Sequence, residues 1–212
     1  NIAKQDGGAI ADSGTLNVTN SVFRNNQSSD YIGGAIASSN NLKIDNCLFD
    51  NNSSYEFGGA LSIMAGNATI SNSIFTNNSA QTSWGGGAVI NYLSTIDFNG
   101  LNIFQDNSSG VNGGAITATT DSVTNINGSA KFIGNTAEGL GGAIFSQGIV
   151  NINATNPDDP VVFSGNKDST GNNAFHLDIY QNEPVGIGTM NLNVSNGAAI
   201  IPVSYTHLRA HE

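Results

Sequence analysis

The chain has 212 residues, with 16 acidic against 6 basic side chains and a formal net charge of −10. That balance, without any basic stripe, argues against a nucleic-acid partner and disfavours anionic membranes and polymers. Its single cysteine allows no internal disulfide, and no apolar run is long enough to cross a bilayer as a helix.

In chain order, a Gly-Gly-small-aliphatic motif begins at Gly7, Gly33, Gly58, Gly86, Gly113 and Gly141. Each copy is answered by a Phe-x-x-Asn beginning at Phe23, Phe49, Phe75, Phe104, Phe132 and Phe163. The first motif recurs every 25 to 28 residues and the second every 26 to 31. Self-similarity on that scale marks a solenoid, in which no repeat buries its apolar face alone. Between the motifs of the first coil, Leu16 and Val18 alternate with polar residues, as a half-buried strand requires. Phe23 has the wrong parity for that face, so the chain must turn near Asn20 and Ser21, and again at Asn46 and Asn72. Three short strands per coil are predicted: one after each Gly pair, one like Thr15 to Thr19, and one around the Phe. At the usual rise per residue such a coil traces a perimeter of about 90 Å, right for three sides. The predicted fold is all-β, a parallel β-helix of about seven to eight coils of roughly 27 residues, with equivalent strands pairing at about 4.8 Å. A leucine-rich repeat would need Leu-x-x-Leu-x-Leu, and calcium-binding nonapeptide rolls Gly-Gly-x-Gly-x-Asp. Neither is present.

Two structural ladders are predicted. Phe23, Phe49, Phe75, Phe104, Phe132 and Phe163 should stack ring on ring down the axis. Asn26, Asn52, Asn78, Asn107, Asn135 and Asn166 sit three residues later, where side-chain amides can satisfy a turn and bond one another. The alternative for these Asn is a solvated loop. With 32 Asn in the chain, the ladder is the better reading. Cys47 falls in the column of Ser21 and Ser73 and reads as a small wall residue.

Candidate binding residues are few. Tyr31 and Trp84 stand two residues before a Gly pair and Tyr55 three before one. They either form an outward aromatic stripe for a sugar or protein partner, or plug the corner against the strand below, and plugging is favoured. Asp158 and Asp159, between Pro157 and Pro160, lie in an insertion that lengthens one coil. They read as a rigid exposed loop rather than a catalytic dyad. His176 near Asp178 is a weaker pair, read as packing of a closing coil. No catalytic, metal-binding or cofactor-binding residue is assigned, and the chain is expected not to be an enzyme.

The alternating Gly-Gly-Ala-Ile and Phe-x-x-Asn resemble the repeats of chlamydial-type polymorphic outer-membrane proteins, which also occur in autotransporter passenger and adhesin-like proteins. The resemblance runs from Asn1 to about Asn196 and implies a right-handed, pectin-lyase-like β-helix. It also implies display outside the cell, at the outer membrane of a Gram-negative-type bacterium. The expected role is adhesion to a host-cell or matrix protein or glycan, with no nucleic-acid partner and any membrane attachment supplied by a C-terminal anchor or barrel. The alternative is a secreted β-helix that binds or cleaves polysaccharide. Asn1 to Gly8 superimposes on Asn135 to Gly142, so residues 1–202 are read as a window cut from a longer β-helix. The composition breaks at 203–212, which resemble a translated sequencing adapter.

Overall fold

The computed structural model describes residues 1–177, 188–195 and 197–203. Its named strands pair only in parallel, each with its equivalent one coil away, and build three sheets of six, seven and twelve strands. The seven-stranded sheet follows the Gly pairs, from Ile10–Asp12 through Leu61–Met64 to Phe175–Leu177. The twelve-stranded sheet holds both the Leu16–Thr19 and the Val22–Arg24 types of strand. The six-stranded sheet, of two-residue strands such as Ser53–Ser54, is a fourth strand type that the sequence reading missed. The motif that produces it is too short to show a period of two.

The stack completes about six turns, not seven to eight. Beyond Ser164 no Gly pair recurs, and Asn173-Ala174-Phe175 takes its place. The backbone N–H of Gly142 donates to the Asn173 carbonyl at 2.8 Å, and Phe175 pairs with Ile144. This closing segment is pinned by Asp168, a buried carboxylate that accepts from the Gly141 and Thr170 amides, the Thr170 hydroxyl and the Asn173 side chain at 2.7–3.1 Å. Ile200–Val203 pairs with Val161–Ser164, crossing the expected 202/203 boundary by one residue. The remainder of the 203–212 segment lies outside the described residues.

In register, the residue after the second to sixth Gly-Gly-Ala forms an interior column of Ile36, Leu61, Val89, Ile116 and Ile144, all fully buried, which the partly buried Ile10 of the first copy opens. Facing it from the twelve-stranded sheet is the column Ile44, Ile70, Phe98, Ile126 and Ile152. The two glycines of a pair are there for different reasons. The first has φ between 62° and 74° in all six copies, a left-handed conformation that a side chain resists. At the second, from Gly8 to Gly114, an added Cβ would collide with the carbonyl oxygen of the equivalent glycine in the next coil.

The six Phe rings stack nearly parallel, centroids 4.8–5.0 Å apart and planes within 7°. Beside them the Asn column uses its full bonding capacity. The Asn52 Oδ1 accepts from both the backbone N–H and the Nδ2 of Asn26. Its Nδ2 donates to Asn78 Oδ1 at 2.9 Å and to the Phe23 carbonyl at 3.0 Å. Asn78, Asn107 and Asn135 repeat the arrangement, so two donors and two acceptors are satisfied in each amide. Asn1 enters the same ladder, donating to Asn26 Oδ1 at 3.0 Å.

The residue before each ladder Asn does another job. Asn25, Asn51, Asn77 and Asp106 all have φ of 52–55°, and Gly134 and Gly165 complete the column at 64° and 66°. Side-chain oxygen in Asn or Asp tolerates this left-handed conformation, and Gly adopts it freely.

Neighbouring asparagines should therefore respond oppositely to mutation. Asn78→Ala removes the acceptor shared by the Asn52 backbone and side-chain amides and takes one donor each from the Phe49 carbonyl and from Asn107 Oδ1, which keeps only the residue 78 backbone N–H, and should cost about 3 kcal/mol in urea unfolding. Asn77→Gly should be neutral within about 0.5 kcal/mol, whereas Asn77→Ala should cost about 1 kcal/mol, chiefly through backbone strain, since the Nδ2 bonds it loses to Asp50 and Thr76 are exposed. Equal costs for Asn78→Ala and Asn77→Ala would contradict the division of roles.

Candidate functional site

The aromatic corner is open, not plugged. Tyr31, Tyr55 and Trp84 are 50%, 47% and 47% exposed. Backbone bonds seat them on successive turns, Glu56 N–H to Tyr31 carbonyl and Thr82 N–H to Tyr55 carbonyl, both 2.9–3.0 Å. Their rings do not meet one another. Trp84 instead lies edge-on to Tyr92, centroids 5.9 Å apart. Two and three residues before a Gly pair the chain is in a connection outside the interior columns, where these three side chains face solvent, although Ile32, one residue before its pair, is buried. Parity arguments do not reach such connections, which is why the sequence favoured the wrong alternative.

The Asp158–Asp159 insertion is tied down. Asp158 is exposed, and its amide donates to Asn156 Oδ1 at 3.1 Å in a tight turn. Asp159 Oδ1 pairs with Lys131 Nζ at 3.2 Å, and its carbonyl accepts from the buried Ser129 hydroxyl. The two carboxylates therefore have separate environments.

Under this loop lies a groove of about 510 Å³ that sequence reasoning did not find. Its floor is Gly100 and Gly128, one flank is Asn99, Asn127 and Asn153, and its end is Thr155, Asn156 and Asp159. The cause is a one-residue insertion. Ile70 to Phe75 spans five residues, whereas Phe98 to Phe104 and Ile126 to Phe132 span six. The left-handed corner held by Asn20, Asn46 and Asn72 is then taken by Gly100 and Gly128, and two short strands fuse into Thr95–Gln105 and Val123–Ile133. An extra residue in one strand of a ladder bends it locally, and glycine in place of Asn leaves the corner without a side chain.

Flanking the groove, two outer Asn columns run up the sheet. Asn125 donates to Asp97, Asn151 to Asn125 and Asn191 to Asn151, each at 2.7 Å. Asn127 donates to Asn99, Asn153 to Asn127 and Asn193 to Asn153 at 2.7–3.1 Å. Unlike the inner ladder, the middle amides, Asn125, Asn127, Asn151 and Asn153, each spend one donor and one acceptor on their column neighbours.

Other candidates are accounted for by packing. Cys47 is buried, its Sγ 3.3 Å from the Asp45 carbonyl, while Ser21 and Ser73 reach the corresponding carbonyls of Thr19 and Ser71 at 2.7 Å. Burial pushes its thiol pKa up, against the lowering effect of backbone hydrogen bonds. His176 is buried with its ring parallel to Phe145, centroids 5.6 Å apart. Asp178 lies outside the described residues. Among the described residues no group of His, Cys, Asp and Glu could hold a metal ion.

Three segments, residues 46–63, 103–119 and 129–147, match the Chlamydia polymorphic membrane protein repeat. The chain carries polymorphic membrane protein repeats. Each matched segment contains one Phe-x-x-Asn and the Gly pair that follows it. The polymorphic membrane protein repeat thus corresponds here to one ring, one ladder amide, a two-residue strand and the opening of the Gly-pair strand. The units beginning at Phe23 and Phe75, outside the matched segments, build the same contacts. No curated protein and no solved structure matches the chain.

Two solution measurements check these placements. Fluorescence of the single Trp84 should be quenched readily by iodide, where a corner-plugging indole would be protected. Cys47 should resist alkylation until the protein unfolds, and Cys47→Ser should change stability by no more than about 1 kcal/mol, since Ser already fills the column.

Proposed function

We propose that the chain is a surface-displayed, adhesin-like passenger segment that acts by presenting binding residues on a rigid stack, without catalytic turnover. The observation that carries this reading is the family repeat itself, set on a parallel β-helix whose repeated residues are consumed by stacking. The family's description as a membrane protein of Chlamydia supports an outer-membrane or cell-surface location. Adhesion is assigned to the outer features, the Tyr31–Tyr55–Trp84 corner and the Asn153–Pro160 loop, because connections held on a rigid scaffold are where recognition concentrates. The partner is a host-cell or matrix protein or glycan, and nucleic acid is disfavoured by the charge of −10. Absence of turnover is supported by Asp159 being held by Lys131 and by His176 packed flat on Phe145.

Beads coated with residues 1–203 should adhere to epithelial cell monolayers above albumin-coated beads, and Trp84→Ala, with its circular dichroism unchanged, should reduce adhesion. Adhesion no greater than albumin's would overturn the reading. So would hydrolysis or elimination of a polysaccharide that survives purification and is lost in Asp158→Ala.

A further inference from the structure

We infer that the Gly100–Gly128 groove is a binding site for a short neutral saccharide. The inference goes beyond the adhesin reading and does not depend on it. Three observations converge.

First, the groove has bonding capacity left over. An Asn amide offers two N–H donors and two acceptor lone pairs. In the inner ladder all four are spent, and those side chains carry structure only. Asn127, on the flank of the groove, gives one N–H to Asn99 and accepts one from Asn153. One donor and one acceptor therefore remain, on a half-buried side chain whose position the column already fixes. Asn99 and Asn153, one coil to either side, likewise keep donors and acceptors in hand. A sugar hydroxyl both donates and accepts, so a row of amides each offering one of both is matched to vicinal hydroxyls.

Second, the groove is open down to the main chain. Gly100 and Gly128 sit side by side in adjacent coils, so its floor is backbone rather than side chain. At Gly128 an added Cβ would meet nothing closer than 3.5 Å, and it is the backbone, with φ of 102°, that calls for glycine and so leaves the floor bare. The end wall is fixed in advance by the Lys131–Asp159 ion pair and the Ser129 hydroxyl bond, which lowers the ordering cost of binding. At the other end the floor abuts Asn72, whose Oδ1 accepts from the Leu101 amide at 3.4 Å. The free floor is thus two coils long, about 10 Å, room for one or two sugar rings.

Third, charge and apolarity select the ligand. Lys131 is neutralised by Asp159, so no cation is left over to hold an anionic sugar. Leu101 is the one large apolar side chain on the lining, too little to anchor a peptide by its side chains. Because no aromatic ring lines the groove, the expected affinity is weak, with Kd about 1 mM.

The test is side-chain amide NMR of the ¹⁵N-labelled 212-residue chain titrated with cellobiose, lactose and chitobiose. At least one should shift the Asn99, Asn127 and Asn153 amide signals, saturably, in the millimolar range. Asn127→Ala should weaken that binding roughly fivefold. Since Asn127→Ala also removes ladder bonds, Asn156→Trp serves as the second variant. It leaves both columns intact, places a bulky side chain on the exposed end wall, and should abolish the shifts with thermal stability unchanged. No shift with any of the three sugars would overturn the site. So would shifts confined to the Tyr31–Trp84 corner, or equal binding of a uronic-acid disaccharide or a Gly-Ser peptide. Sugar binding without bead adhesion removes the adhesin reading alone, and adhesion without sugar binding removes this one alone.

Discussion

A coil-to-coil distance of about 4.8 Å is the constraint on which the rest of this molecule depends. Parallel pairing in register places each residue against its own equivalent, so a side chain is acceptable only if it packs well against copies of itself. Few residue types meet that condition inside a wall. Flat Phe rings do, at 4.8–5.0 Å between centroids. Asn does, because its amide is at once donor and acceptor and needs no second residue type as partner. Gly does where two backbones must nearly touch. Like charges do not, and the charged residues of the repeating coils accordingly lie on the outside, as in Arg24 against Asp50 and Lys131 against Asp159, while the one buried carboxylate among the described residues, Asp168, stands in the non-repeating closure.

That constraint explains which features were legible in the sequence. The Phe and Asn columns, the Gly pairs and the period were readable because self-stacking repeats a residue type at fixed spacing. The predicted fold follows from them. What escaped was whatever does not repeat. The Asp168 closure occurs once, and of its four hydrogen bonds only the one from the Gly141 backbone comes from a motif residue. Coil number was overcounted because the closing segment lengthens the chain without supplying another Gly pair. The groove escaped because a single inserted residue, visible as six positions where five are usual, has no composition of its own. Side-chain orientation in the connections was equally opaque, as the exposure of Tyr31, Tyr55 and Trp84 shows.

Adjacent asparagines in this chain illustrate how one residue type is put to separate uses by geometry. In Asn77-Asn78 the first accepts a left-handed backbone and the second a fully bonded interior site. The columns on the outer face stand between these cases: ordered by their neighbours, yet with half their hydrogen-bonding capacity unspent. Whether an Asn serves architecture or recognition is thus decided by counting its bonds, a count that burial alone would not give.

The inner amide ladder also has a sense. From Asn1 through Asn135, every Nδ2 points its donor toward the next coil, and every Oδ1 from Asn26 to Asn166 receives from the one before. The bond dipoles therefore add head to tail along the axis and reinforce one another. A stack of this kind has distinguishable ends, one presenting acceptors and the other donors. Two such stacks meeting end to end can continue the chain of amides only when they run in the same direction. Opposed ends would set oxygen against oxygen or N–H against N–H, so the molecule carries, in a single row of side chains, a built-in polarity for any growth along its length.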